Sequence, residues 1–394
     1  MFAFGFDKIS DKGEPISNLY GNELSLSYGF LISGMNETQI DFRKETVDEL
    51  IEKNVNFIYF IDGKPDPNFS SSIILSDKLV TYAKQGKCRI VINAMTEYFY
   101  GENVSRNMNL IGEKYGLNPT NLVFITGNLI AKNKIGDRFC YLSYNYFLDY
   151  PWFINKDNPP LIPKNDVKID KKILCYNRRP HVHRKILVYE ILNNPTILND
   201  IILSYGGTTN RFHYGIHNFN EKIKNVDRAR RINEFFQTME FEISVDEKKL
   251  ENNQADDFDY HMHHKTFISL VSETNVNSDN LFFSEKTYKP IVAKQPFIIY
   301  GNPNSLKYLK SIGFKTFDKW IDESYDGEII FENRLDKILK LCEEISNMSA
   351  SDSYRIRNEM ESILEHNYNK FFELTDLNNF LNQLFNFKTF DKII

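Results

Sequence analysis

Ser284-Glu285-Lys286 is the tripeptide of this chain whose residue types and spacing best suit chemistry. A serine ahead of charged residues and an apolar period suits the N-cap and first turn of a helix. A helix N-terminus presents unpaired N–H groups and the positive end of the peptide dipole, which together suit an anion. Lys286 adds a full positive charge there. Glu285 cannot serve a phosphate, but a carboxylate is well suited to ribose hydroxyls. The pair reads as a grip on a nucleoside diphosphate; a capped surface helix with solvated Glu285 and Lys286 fits the same spacing. A second cluster, Asn177-Arg178-Arg179-Pro180-His181-Val182-His183-Arg184, sets three arginines and two histidines in one turn. Guanidinium forks match phosphate oxygens, and Arg184, in the first turn of the following helix, could reach back to the same anion. A solvated basic turn is the plain alternative.

Other candidates are weaker. Glu97 follows an apolar run at 89–93 and would suit a general base at a strand end. The run His261-Met262-His263-His264 invites a metal, but no Asp, Glu or Cys accompanies it at ligand spacing, so a chance cluster before a strand is expected and no metal site is assigned. Asp62-Gly63 and Gly127-Asn128 also close apolar runs. No Ser/His/Asp set, Walker loop or GxGxxG is present.

These groups need elements that carry them to one place. Residues 267–271 form a short, β-rich apolar run of the kind buried on both faces of a sheet. The polar run 272–283 has no helical period, and Ser284 opens a helix. A strand at 297–300 and a helix from about 305, ended by Gly313 as C′ residue, complete the segment. Upstream, a strand at 172–176 leads through the basic turn into a helix at 183–192, and a strand follows at 201–204. If the strands at 172–176 and 267–271 are parallel, the two basic turns lie at one sheet edge. The first half alternates in the same way. Runs at 2–6 and 24–32 could be strands, and 55–61, 89–93 and 122–126 read as buried strands. Helices are expected over 45–53, 77–85 and 105–115. This alternation implies βαβ units and parallel sheets. Residues 139–153 are aromatic and irregular, and 155–172 is polar and Pro-rich, which places a domain boundary there. A basic helix at 226–239, an acidic loop at 246–259, and helices at 336–348, 353–374 and 377–387 fill out the second half.

At 394 residues the chain exceeds one ordinary core, so two α/β domains are expected. A formal net charge of −5 gives no global reason to bind nucleic acid. The four cysteines, Cys88, Cys140, Cys175 and Cys342, match no metal or CxxC spacing and suit buried free thiols of a cytoplasmic protein. The first residues lack a basic, apolar leader pattern, and no apolar run reaches membrane-spanning length.

The combination FISLVSET…FFSEKTYKPIVAKQPFIIYG resembles the donor-binding half of α-1,3-fucosyltransferase-like glycosyltransferases. In that family a strand ends in a Glu-containing motif, and Ser/Thr-Glu-Lys then opens a helix; Glu273 and Ser284-Glu285-Lys286 match. The chain also resembles proteins of large phages, giant viruses and some bacteria. They share the Asn-Arg-Arg-Pro-x-x-His-Arg turn, S/TEKTxKPI, PFI…G-x-P-x-S-L, GFKTF and DESYD, here within 172–326. The first half matches only in layout. Where fucosyltransferases follow the catalytic Glu with Ser-Pro, Glu97 is followed by Tyr98-Phe99.

The resemblance implies an α/β protein of GT-B fold, with two facing Rossmann-like domains and C-terminal helices. The expected divisions are 1–165 for the acceptor, 170–350 for the donor and 351–394 for helices returning toward the first domain. It implies transfer of a sugar from a nucleotide-diphosphate sugar to an acceptor hydroxyl, with inversion and without a metal or other cofactor. Asn177, Arg178, Arg179, Arg184, Glu273, Thr274, Ser284, Glu285, Lys286 and Lys289 would bind the donor. Among them, Glu273 would orient the sugar or the loop 274–283, and Glu97 would be the base. The acceptor could be a glycan, lipid, protein or modified DNA. Transfer to hydroxymethylated DNA bases and a non-catalytic carbohydrate- or nucleotide-binding virion protein are the alternative readings.

Overall fold

A computed structural model describes residues 2–6, 8–9, 15–16, 41–62, 69–94, 102–130, 134–135, 138–148, 169–177, 179–206, 219–238, 243, 260–374 and 377–386. The chain forms two compact units, Met1–Trp152 with Thr375–Ile394, and Phe153–Leu374. Each is α/β and Rossmann-like, built on its own largely parallel sheet, as the alternating pattern predicts.

In the first unit the strands are β1 (Phe2–Phe6), β4 (Phe42–Thr46), β5 (Phe57–Asp62), β6 (Cys88–Ala94), β7 (Leu122–Thr126), β8 (Lys134–Ile135) and β9 (Cys140–Ser143). Their order is β4-β1-β5-β6-β7-β9-β8; only β8 runs antiparallel, and a short hairpin, β2 (Lys8–Ile9) with β3 (Pro15–Ile16), stands apart. Strands β6 and β7 are buried at every residue, which explains their unbroken apolar runs. Strand β4, sequence FRKET, had no apolar alternation to announce it; an edge strand tolerates charge because one side faces no neighbour. Strand β9 replaces part of the irregular run expected at 139–153. The expected helix at 45–53 begins at Val47, because Thr46 closes a capping box with Glu49 and Glu45 still belongs to β4.

The C-terminal helix Leu377–Phe385 belongs to this unit. Its Phe385 meets Phe4 edge-on at 5.3 Å, and Phe380 stacks on Tyr144 at 3.9 Å. Arg89, fully buried in β6, donates to the carbonyls of Leu384, Asn386 and Thr120. A helix end leaves its last carbonyls without donors, and a cation suits its negative dipole end. Burial lowers the Arg89 pKa to about 10, so the side chain is still a cation at neutral pH.

The second unit holds β10 (Lys171–Asn177), β11 (Ile201–Tyr205), β12 (Thr266–Ser272) and β13 (Phe297–Tyr300). All pairings are parallel, in the order β11-β10-β12-β13. The chain leaves β10 toward β11 on one flank and returns to β12 on the other. That reversal is a topological switch point, and the crevice outside the carboxyl ends of β10 and β12 is where open α/β sheets bind ligands. The helices Val182–Leu192 and Glu285–Val292 start from that edge. The long helix Ala350–Glu373 packs on Glu285–Val292, with Phe371 against Tyr288 at 5.5 Å. The four cysteines are buried and free. Among the described residues, no helix is long and apolar enough to cross a membrane. The expected strand at 24–32 and acidic loop at 246–259 lie outside the described residues, as does most of the expected linker.

Candidate functional site

Glu273, the residue after β12, organises the carboxyl edge of the second sheet. Its buried carboxylate accepts from the Thr274 N–H (2.9 Å), the Ser284 N–H (3.1 Å), the Ser284 hydroxyl (2.7 Å) and the Thr287 hydroxyl (2.6 Å). Two oxygens offer about four lone-pair positions, so its accepting capacity goes to the loop and the helix. A carboxylate at a helix N-terminus also suits the dipole. Ser284 is the N-cap, its Oγ accepting from the Lys286 N–H at 3.3 Å, as its position predicts. Thr287 was not singled out by spacing, although it stands three residues beyond the cap and faces the same carboxylate.

Glu285 and Lys286 form the next layer. Lys286 Nζ donates to Glu285 Oε1 at 2.7 Å and lies 3.3 Å from Ser284 Oγ. Burial opposes ionisation of Glu285, but Lys286 and Lys289 outweigh it, and the carboxyl falls to about 2 from an ordinary 4.5. The stabilisation from that depressed pKa is therefore present above pH 4.5 and is lost as pH falls from 4.5 toward 2. Glu285→Gln should cost about 2 kcal/mol at neutral pH, and the gap to wild type should narrow across that acid window in urea unfolding. The two lysines differ in setting: Lys286 keeps a quarter of its side chain exposed, and Lys289 is half-buried one turn along.

Arg184 stands on the other flank, in the first turn of Val182–Leu192. Though only 1% exposed, it donates to carbonyl oxygens and not to a carboxylate: Ser272 and Glu273 at 3.0 Å, and Arg179 at 3.4 Å. Burial lowers its pKa, while Glu273 and Glu285 oppose that shift. His183 beside it bonds the Glu273 carbonyl through Nε2 at 2.9 Å. Burial first, then Arg184, hold its pKa well below 6.5, so the ring is neutral; a carbonyl only accepts, so Nε2 carries the proton. The basic turn and the capped helix thus converge on one residue, Glu273, from β10 and β12.

Asn177 ends β10, fully buried; its N–H donates to Ser204 Oγ and its Nδ2 to Cys175 Sγ, both at 3.2 Å. Among the described residues its Oδ1 has no partner, and neither have Ser272 Oγ and Arg184 Nε. Buried polar atoms are ordinarily bonded, and each orphan costs about 1–3 kcal/mol. Two orphans at the ends of neighbouring strands and a third on the adjoining helix mark a place suited to polar atoms from outside the chain. Arg179 is exposed, and Thr274 follows Glu273 with its N–H on that carboxylate. Glu97 and Arg178 lie outside the described residues.

The histidine run falls on a short helix, Tyr260–His264, at the opposite end of β12. His263 Nδ1 bonds Gln295 Oε1 at 2.7 Å, and Gln295 in turn bonds Ser269 and Thr266. Burial and then Arg357 push His264 down to about 4. These side chains fasten the amino edge of the sheet.

No family model matches the sequence, and no curated protein matches it. Among solved structures, a crystal structure of an α1,3-fucosyltransferase with GDP-fucose aligns over 99% of this chain and 91% of that one. The alignment has 11% sequence identity and a TM-score of 0.39.

Proposed function

We propose that the chain is a glycosyltransferase of GT-B type that draws its sugar from a nucleotide-diphosphate donor held by the second unit. The observation that carries this reading is the set of orphaned buried atoms of Asn177, Ser272 and Arg184 at the switch-point edge. Lys286 and the positive end of the Glu285–Val292 helix dipole take the diphosphate, with buried Arg184 adding positive charge behind them. Glu285, ionised at every physiological pH, takes the ribose hydroxyls. Glu273 holds the loop and the helix start in register for both. Asn177, Thr274 and Arg179 belong to the same edge, Lys289 follows one turn along the helix, and Arg178 is assigned with them from its place in the sequence.

Fixed cations and a helix dipole stabilise a departing nucleoside diphosphate by electrostatics, which is the work a metal does elsewhere. Transfer by direct displacement inverts the anomeric carbon. The acceptor hydroxyl loses its proton to a carboxylate, for which Glu97 in the segment after β6 is the candidate. Incubation with GDP-, UDP- and CDP-sugars, with release of the nucleoside diphosphate as readout, tests the reading. Turnover of at least one donor is the expected result; binding of a nucleotide without any release would assign a non-catalytic binding protein instead.

A further inference from the structure

Segment 274–283 has no regular secondary structure, yet its backbone and side chains are tied at many points. Asn275 Oδ1 accepts from the Val276 and Asn277 N–H groups at 2.7 and 3.1 Å, and its Nδ2 bonds Asn280 Oδ1 at 2.6 Å. Asn302, just beyond β13, donates to the Asn277 carbonyl and to Asn280 Oδ1, both at 2.8 Å, and accepts from the Phe282 N–H at 3.1 Å. Lys222 donates to the Asn277 side chain. Arg334, buried on the helix Phe331–Ser346, donates to the Val276 carbonyl at 2.5 Å and to the Glu328 carbonyl at 2.6 Å. Val276, Leu281, Phe282 and Phe283 are buried beneath.

A lid that opens and closes has few buried contacts and exposed backbone bonds. This loop has the opposite character. A buried arginine bonded only to carbonyls is an expensive way to fill space, since an apolar side chain of similar volume avoids the desolvation cost. What Arg334 supplies that such a residue cannot is a fixed geometry for Val276, in the loop that leaves the carboxyl end of β12.

We propose that Arg334 is a positioning residue that keeps segment 274–283 pre-formed as a wall of the nucleotide-sugar site, so that no ordering cost falls on donor binding. The proposal rests on the nucleotide-sugar reading, and two measurements keep the failures of each apart. Hydrogen exchange on the ligand-free protein concerns the loop alone. The amides of Val276, Asn277 and Phe282 should exchange about 100-fold slower than in a free chain, and Arg334→Met should remove most of that protection. Titration with GDP, UDP, CDP and ADP concerns its use. The Kd of the diphosphate that binds wild type should rise about tenfold in Arg334→Met and recover to within about threefold in Arg334→Lys, at a melting temperature that permits comparison. If Arg334→Met does not fold, Lys222→Met removes the tie to Asn277 without emptying a core position and is expected to shift both readouts the same way. Rapid exchange of those amides in wild type overturns the proposal with no variant needed. Unchanged affinity in a folded Arg334→Met protein whose loop has loosened overturns it equally. A protected loop in a protein that binds none of the four nucleotides overturns the nucleotide reading, and the donor role of the wall with it.

Discussion

Lys286→Ala is expected to lower nucleotide-sugar turnover by about 10²–10³-fold while the protein stays folded. The side chain lies in the first turn of a helix, at its positive dipole end, with a quarter of its surface exposed and, among the described residues, a single carboxylate partner, Glu285, at 2.7 Å. Its removal leaves Glu285 with Lys289 still nearby, and leaves the Ser284 cap and the Glu273 bonds untouched. The stability cost should therefore be about 1 kcal/mol, within the range of ordinary part-exposed substitutions. A mobile charge on a four-carbon stem is what a leaving diphosphate needs, and its part in the fold is to help hold Glu285 ionised, which Lys289 continues to do. Steady-state kinetics beside a melting curve checks both halves; wild-type turnover in this variant would sink the assignment of Lys286.

Glu273→Ala should act in the reverse sense, on stability first. It strips the acceptor from two backbone N–H groups and two hydroxyls, all around one buried carboxylate. Breaking a buried, charge-assisted network of this kind costs about 3–5 kcal/mol, a large share of a domain's total. Glu273→Gln keeps the volume but turns one oxygen into a donor, and each oxygen of Glu273 faces two donors. Its expected cost is about 2–3 kcal/mol, with the loop and helix start loosened together. Urea unfolding of the three proteins measures this. A Glu273→Ala protein within about 1 kcal/mol of wild type would mean that the carboxylate does not hold the edge together.

The parts of the fold that one segment determines were readable from that segment. The runs at 122–126 and 297–300 match β7 and β13, because continuous apolar residues between turn signals have little alternative. Ser284 as N-cap and Gly313 as the left-handed residue after a helix, with φ +97°, are likewise local. Strand β4 was not readable, because FRKET is set as a strand by its neighbour β1 and not by its own pattern. The site divides the same way. Lys286, Glu285 and Arg184 announced themselves by type and position. The resemblance gave Glu273 a part in orienting the loop or the sugar, but its bonds to the helix start were not visible, since Ser284 and Thr287 reach it only once the loop has turned back. Arg334 and Asn302 gave no signal at all, for a buried arginine and an asparagine acquire meaning only from contacts 58 and 22–25 residues away.

The central claim is that a nucleoside diphosphate binds at the carboxyl ends of β10 and β12. Calorimetric titration of wild type and Lys286→Ala with GDP, UDP, CDP and ADP tests it most directly. At least one should bind wild type, stabilising it by about 2.7 kcal/mol at 100 times its Kd, and should bind Lys286→Ala at least about tenfold more weakly. Absence of binding by all four, or equal affinity in the two proteins, would contradict the account.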